Sequence, residues 1–238
     1  MLIAFLVILI DLIGFGIMVP IFAFYALNMG ASPAVATVLM SLYVIAQFCT
    51  APLLGRISDF YGRRPVLMLS MLGATAGYVL LANASVLWMV ALSRLISGAM
   101  AGNISTAQAY MTDISAPEDR AKAMGMIGAA FGLGFLIGPL LGSYLAGDSF
   151  VDANLALPAY VSAALSFASF LTILLFLKES LPKDKRRSLR DPSRRSRLAE
   201  FKDIGGRPAI KMLLICGVLF ACLVLGLSNN FALIGARF

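Results

Sequence analysis

Two ionisable side chains stand apart from all the others in this sequence. The chain has 19 basic and 12 acidic residues, and only Asp11 and Arg94 lie well inside long apolar stretches. A charge at bilayer depth is costly, so it usually faces a protein interior or a water-filled path. Apolar surroundings favour the neutral form of a carboxyl group, and a nearby cation favours the charged form. Asp11 could therefore load and release a proton, with Arg94 as its candidate partner; the alternative is a structural ion pair between the two.

The sequence lacks the residue patterns that metal binding, nucleophilic catalysis or phosphate binding would require. The sequence contains no histidine, and Cys49, Cys216 and Cys222 lie in apolar stretches without the spacing of metal ligands. Neither a nucleophile motif nor a glycine-rich phosphate loop is present in the sequence. We therefore expect a protein that is not an enzyme and that uses no metal or cofactor beyond a proton gradient.

Long apolar runs make up most of the chain, which is 60% hydrophobic and 13% charged. A helix that spans a bilayer needs about 20 mostly apolar residues. We expect an all-α membrane protein in which 1–177 forms a six-helix N-terminal half, 178–208 a basic linker and 209–238 a seventh transmembrane helix. At 1.5 Å per residue, Asp11 lies about 14 Å along the first helix, near the middle of the bilayer. The seven predicted helices are the runs at 2–27, 34–55, 65–83, 86–112, 123–147, 157–177 and 209–233.

The positive charges divide the connectors between these runs into two groups. Apart from Arg94 and Arg237, every lysine and arginine falls within 56–64, 120–122 or 178–211, and the alternate connectors contain none. Cytoplasmic loops of membrane proteins carry such an excess of positive charge. We therefore place the N-terminus and the basic linker in the cytoplasm, where the linker meets lipid headgroups rather than nucleic acid.

A short internal repeat suggests how the helices are related. The tetrapeptide Pro-Leu-Leu-Gly occurs at 52–55 and again at 139–142, three predicted helices later. Three crossings reverse the orientation of a segment, and inverted repeats of three helices are common in secondary transporters. The repeat favours an inverted three-plus-three arrangement within the six-helix half.

The connector between the second and third runs carries a recognisable motif. It reads Gly-Arg-Ile-Ser-Asp-Phe-Tyr-Gly-Arg-Arg-Pro from Gly55 to Pro65, and it resembles the signature of the same connector in the major facilitator superfamily. The resemblance implies a charge-linked latch that holds one conformation, in which the arginines reach Asp59 or Asp113. The alternative, a basic turn that only sets topology, accounts for the arginines but not for the glycines. The latch residues are Gly55, Asp59, Gly62, Arg63, Arg64 and Asp113.

Further segments are similar to one branch of that superfamily. The stretches 11–20 and 94–113 resemble the first and fourth helices of drug:proton antiporters, most closely the tetracycline:proton antiporters. The resemblance covers residues 1–180 and implies proton-coupled export of a hydrophobic or amphipathic drug. Tetracycline exporters usually have an acid before an aromatic residue in the third helix, and this chain has Gly77 before Tyr78. The fifth run matches the glycine and proline pattern that marks antiporters through Gly125, Gly134, Gly138, Pro139 and Gly142.

The fourth run places small and polar residues where a substrate could bind. Arg94, Gly98, Gly102 and Thr106 recur at intervals of four and form one stripe along the helix. Methionine and aromatic side chains suit loosely shaped apolar ligands, and the first run supplies several of them. We expect the pocket to be lined by Asn103, Ser105, Gln108, Phe15, Met18, Phe22 and Tyr25.

The resemblance also implies a second half. Transporters of this superfamily have two six-helix halves with the substrate between them, and this sequence supplies one. We expect a truncated transporter that requires its missing C-terminal half or a second copy, with protons and a small molecule as ligands, in a bacterial inner membrane. The alternatives are a non-transporting, partner-dependent half-module and an uptake transporter for a sugar or another metabolite.

Overall fold

The computed structural model of the chain is helical throughout the residues it describes, which are 1–147, 156–182, 184 and 186. A 3-10 turn at Pro117–Asp119 leads into the sixth helix. The helices of this described part are α1 (Leu2–Asn28), α2 (Pro33–Tyr61), α3 (Arg63–Ala82), α4 (Leu87–Ala101), α5 (Asn103–Asp113), α6 (Arg120–Ala146) and α7 (Ala156–Phe176).

These helices make six segments that are long and apolar enough to cross a membrane, because α4 and α5 together form the fourth. The segments lie where the first six apolar runs predict them, so the expectation of an all-α membrane fold is confirmed. The last described helix ends at Phe176, next to the predicted domain boundary. The seventh run, at 209–233, lies outside the described residues.

Helix α2 is longer than a bilayer requires. Its 29 residues extend for about 43 Å at 1.5 Å per residue, against a hydrocarbon core of about 30 Å. It begins with Pro33 in the first turn, and the Ser32 hydroxyl accepts a hydrogen bond from the Val35 amide at 3.3 Å. It ends at Gly62, whose φ of +106° strongly favours glycine. Helix α2 is therefore long enough to extend past the hydrocarbon core, and the connector motif begins in its last turns near Tyr61.

Helices α1 and α6 pack backbone against backbone. A Cβ atom at Gly138 would lie 2.6 Å from the Cα atom of Gly16, and one at Gly16 would lie 2.7 Å from the carbonyl oxygen of Gly134. Gly134 also lies against Leu12, and Gly142 against Ile17. Small residues allow this close approach of helices in membranes. The glycine stripe predicted on α6 is therefore the surface that receives α1.

A second glycine contact joins α2 to α4. Gly98 lies against the backbone of Tyr43, and a Cβ atom at Gly102 would lie 2.8 Å from the backbone nitrogen of Ala51. The stripe of small residues on the fourth span is thus a packing surface for α2.

Two clusters of buried apolar side chains fill the bundle. One contains Phe22 and Tyr78, and the other contains Met71 and Ile127. Large apolar side chains also face outward, among them Phe48, which is 81% exposed. Lipid tails are as apolar as these side chains. The outer surface therefore fits a hydrocarbon environment.

We predict that Gly138→Ala lowers the stability of the bundle. The added methyl group would meet backbone atoms of Gly16 and Ile17, and overpacking of this kind costs about 1–3 kcal/mol. The matched control is Gly128→Ala on the same helix, where an added Cβ atom meets nothing within 4 Å. The measurement is the apparent melting temperature of each purified variant in detergent.

The control is expected to melt at or above the wild-type temperature, because alanine favours helix by about 0.5–1 kcal/mol over glycine. Equal melting temperatures for the two variants would contradict the close crossing of α1 and α6.

Candidate functional site

Asp11 lies on a narrow cavity between α1, α3, α5 and α6. Asn103 and Tyr110 are the other polar residues of the lining, and the rest is apolar, including Met71 and Ile127. The Asn103 side chain is 3% exposed and lines this cavity together with Asp11. The cavity has room for about one water molecule. This arrangement places an amide side chain and room for a water molecule near the carboxyl group, but it leaves no space for a drug.

The fourth predicted span is a single membrane-crossing segment that is interrupted at Gly102. Helix α4 ends at Ala101 and α5 begins at Asn103. Side chains of α2 bind carbonyl groups beside the interruption, because Thr50 Oγ1 donates to the carbonyl of Ala99 at 2.7 Å and Gln47 Nε2 donates to that of Ala101 at 3.3 Å. The interruption is therefore held by contacts between α2 and the fourth span.

Arg94 is surrounded by aromatic rings. Its guanidinium carbon lies 4.6 Å from the centre of the Phe22 ring, 5.9 Å from that of Tyr43 and 6.0 Å from that of Tyr78. The side chain is only 4% exposed. The ion pairs of the described residues do not include one between Arg94 and Asp11. The structure thus gives no support to an ion pair between them.

Arg63 forms the centre of the latch. Its Nη1 atom lies 2.7 Å from Asp59 Oδ1 and donates to the Ser58 hydroxyl at 2.6 Å, while its Nε atom donates to Asp113 Oδ2 at 3.1 Å. The Ser58 hydroxyl in turn donates to the carbonyl of Gly55 at 2.6 Å. The expectation that an arginine reaches Asp59 or Asp113 holds for Arg63, which contacts both. The network ties the end of α2 to the end of α5.

Arg64 has other partners. Its guanidinium donates to the carbonyl of Leu174 near the end of α7 at 2.6 Å, and its backbone amide donates to Glu179 Oε2 at 3.2 Å. The expected contact of Arg64 with Asp59 or Asp113 is not among the ion pairs of the described residues. Arg64 therefore connects α3 to α7.

Glu179 is a site residue that the sequence did not reveal. Its carboxylate accepts hydrogen bonds from the amides of Arg63 at 2.8 Å and Arg64 at 3.2 Å, and so caps the start of α3. The side chain lies so close to Gly62 that a Cβ atom there would clash with it. The Tyr110 hydroxyl donates to the carbonyl of Lys178 at 2.9 Å. The segment after α7 therefore locks together the same helix ends as Arg63 does.

Comparison with known proteins identifies the family. A sequence model of the Major Facilitator Superfamily matches residues 4–238. The chain belongs to this superfamily. It is 36% identical to the class B tetracycline resistance protein of Escherichia coli over 181 residues, which are 75% of this chain and 44% of that protein. It is also 36% identical to major facilitator superfamily domain-containing protein 10 of Mus musculus over 148 residues, 62% of this chain and 31% of that protein.

Solved structures of the superfamily share the fold. The human organic anion transporter MFSD10 (TETRAN) superposes with a TM-score of 0.66 at 29% identity, over 77% of this chain and 48% of that one. A peptide transporter in complex with alafosfalin gives a TM-score of 0.68 at 17% identity, over 99% of this chain and 48% of that one, which indicates the fold alone. The chain thus spans less than half the length of the curated relatives it matches.

The glycines of the superfamily's antiporter pattern divide into two groups. Gly134, Gly138 and Gly142 are buried in the crossing with α1, and Pro139 lies among them, with a ring atom 3.5 Å from a Cβ atom placed at Gly16. Gly125 is exposed, and an added Cβ atom would meet nothing within 4 Å. The structure therefore brings three of the glycines to α1 and leaves Gly125 on the surface.

Several residues expected to line a substrate pocket belong instead to the packed core. Phe22 and Met18 are each 1% exposed, and the buried Tyr25 hydroxyl donates to the carbonyl of Leu81 at 2.5 Å. These three residues therefore do not line a pocket as predicted, because their face of α1 packs inward on neighbouring helices.

The other predicted pocket residues remain closer to the surface or to Asp11. Phe15 is partly exposed and Gln108 is exposed. Ser105 donates to the carbonyl of Ala51 at 2.9 Å and so helps to hold α5 against α2. Asn103 lines the cavity of Asp11. The described residues of this cavity do not include Phe15, Ser105 or Gln108.

We predict that Glu179→Ala loosens the start of α3. The first amides of a helix have no intrahelical partner, and loss of a capping side chain costs about 1 kcal/mol, which corresponds to about fivefold faster opening. The measurement is hydrogen exchange of the peptide containing Arg63 and Arg64, read by mass spectrometry. The matched control is Glu118→Ala, at an exposed acid of the 3-10 turn.

Unchanged exchange in Glu179→Ala, or an equal increase in both variants, would show that Glu179 does not hold the latch closed.

Proposed function

We propose that this six-helix unit is half of a proton-coupled antiporter that exports an amphipathic organic compound from the cytoplasm. The observation that carries the proposal is Asp11, an acid inside a membrane span, which shares with Asn103 a cavity that has room for water. A water molecule in this cavity could exchange protons with the carboxyl group. Ionisable residues within a membrane commonly form proton relays in transporters.

The position of Asp11 on α1 supports its coupling to movement. The next residue, Leu12, lies against Gly134, and the following turns of α1 lie against Gly138 and Gly142. Contacts made by glycine present a smooth surface along which a neighbouring helix can shift. Gain or loss of a proton changes the polarity of α1 at the turn where this surface begins. Protonation would therefore alter the balance between two positions of α1 on α6.

The latch supplies a second element of the cycle. Arg63 joins α2 to α5 through Asp59 and Asp113, and Glu179 ties the segment after α7 to the start of α3. These contacts lie at the end of the bundle that the positive charges place in the cytoplasm. In the proposed cycle they stabilise one orientation and break in the other.

The relatives suggest the class of substrate. Relatives of this chain are described as tetracycline resistance proteins and as an organic anion transporter. On this basis we propose a drug-like, amphipathic organic molecule as the cargo. Since the chain matches 43–46% of the length of the tetracycline resistance proteins, the second half would come from further sequence or from a second copy.

We predict that Asp11→Asn abolishes proton-coupled transport while leaving insertion intact. Asparagine preserves the size and the hydrogen-bonding capacity of the side chain but cannot bind and release a proton. The measurement uses proteoliposomes that contain the complete gene product and a trapped pH-sensitive dye, with tetracycline and other amphipathic probes added outside. Proton flux should fall to the level of empty vesicles, and Asp119→Asn, at an exposed acid, should behave as wild type.

Full substrate-driven flux in correctly inserted Asp11→Asn protein would remove Asp11 from the mechanism. Absence of flux from the wild-type protein with every probe would instead favour the non-transporting half-module.

A further inference from the structure

The strongest unexplained feature of the bundle is the cation of Arg94. Its Nε and Nη2 atoms are buried and have no hydrogen-bond partner among the described residues. The ion pairs of the described residues include none between Arg94 and Asp11, the other intramembrane charge. A buried charge without a counter-charge or hydrogen bonds is strongly unfavourable. The site is therefore incomplete without an acceptor.

The aromatic side chains around Arg94 compensate for only part of this deficit. Phe22, Tyr43 and Tyr78 lie within 4.6–6.0 Å of its guanidinium carbon. Ring faces attract a cation, but they do not accept the in-plane hydrogen bonds of a guanidinium group. The nitrogens of Arg94 thus remain available to a planar acceptor.

Ser97 supplies a second hydrogen-bond donor on the same helix as Arg94. It follows Arg94 by three positions on α4, so both side chains occupy neighbouring positions on one helix face. The Ser97 hydroxyl is also buried without a partner in the described part of the chain, whereas the Ser93 hydroxyl donates to the carbonyl of Val90 at 2.8 Å. Arg94 and Ser97 therefore present unused donors together, a pattern that fits a carboxylate.

A row of aromatic rings leads from the surface toward this position. Phe135 is 48% exposed and lies edge-on to Phe15 at 5.9 Å, and Phe15 stacks on Tyr43 at 5.0 Å. Tyr43 in turn borders Arg94. We call Phe135, Phe15 and Tyr43 the aromatic row. It offers flat apolar contacts to a molecule whose acidic end reaches Arg94.

We propose that Arg94 and Ser97 bind the carboxylate of the transported compound, and that the aromatic row contacts its ring system. The substrate class is therefore an aromatic organic acid. This assignment rests on the proposed function and deepens it. Arg94 serves in recognition of the cargo, and Asp11 serves in proton transfer.

The test compares two ligands that differ only in charge. The complete chain is placed in nanodiscs of zwitterionic lipid, and binding of 2-naphthoate and of neutral 2-naphthamide is measured by calorimetry without any pH gradient. A bidentate, charge-assisted contact should make 2-naphthoate bind about tenfold more tightly than 2-naphthamide. Arg94→Gln should abolish this preference, and Arg94→Lys should retain part of it, because lysine keeps the charge but not the planar fork.

The matched control is Arg120→Gln, which removes an exposed positive charge at the start of α6 and should leave the preference intact. Equal binding of the two ligands by the wild type would overturn the proposal, and so would a preference that persists in Arg94→Gln. If Arg94→Gln does not fold, the wild-type comparison and Arg94→Lys decide the question.

The same assay separates this inference from the proposed function. Asp11→Asn should bind 2-naphthoate as the wild type does, although it should carry no proton flux. Flux that survives in Asp11→Asn overturns the proton-transfer role alone. Equal affinity for the two naphthalene ligands, together with intact proton coupling in the wild type, overturns the carboxylate site alone.

Discussion

Two intramembrane charges that do not pair with each other constrain the described bundle. Because a charge in an apolar interior needs a polar partner, an acid and an arginine in the same half would be expected to pair. Here Asp11 shares a cavity with Asn103, and Arg94 is enclosed by Phe22 and other aromatic rings. Asp11 therefore remains able to bind a proton, and Arg94 remains able to bind an acceptor. In a bundle whose charges only stabilised packing, the two side chains would pair with each other.

Helix α1 rests on α6 through the close backbone contact of Gly16 with Gly138. The fourth span is interrupted at Gly102, and α2 donates hydrogen bonds to carbonyl groups beside the interruption. At one end of the bundle, Arg63 and Glu179 fasten four helix ends together. In the proposed cycle, α1 shifts on α6 while the contacts at this end break and re-form.

The sequence predicts the spans, the glycine stripes and the Arg63 network, because each follows from local composition or from a short motif. It does not predict the break at Gly102 or the capping by Glu179, because both depend on contacts between distant parts of the chain, Glu179 and Arg63 being 116 residues apart. Met18 and Phe22 were expected in a pocket and lie in the core. A helix that is apolar all round gives no periodic signal of which face meets lipid and which meets protein.

The mechanism requires Asp11 to bind and release a proton. Infrared difference spectroscopy of the complete gene product measures this directly. Spectra of the wild type and of Asp11→Asn, each recorded with and without a transported compound, would isolate the carbonyl stretch of the protonated Asp11 side chain. The account predicts a band that is present in one state and lost in the other. A band of the same intensity in both states, or none in either, would show that Asp11 keeps one ionisation state and would contradict the proton-coupled mechanism.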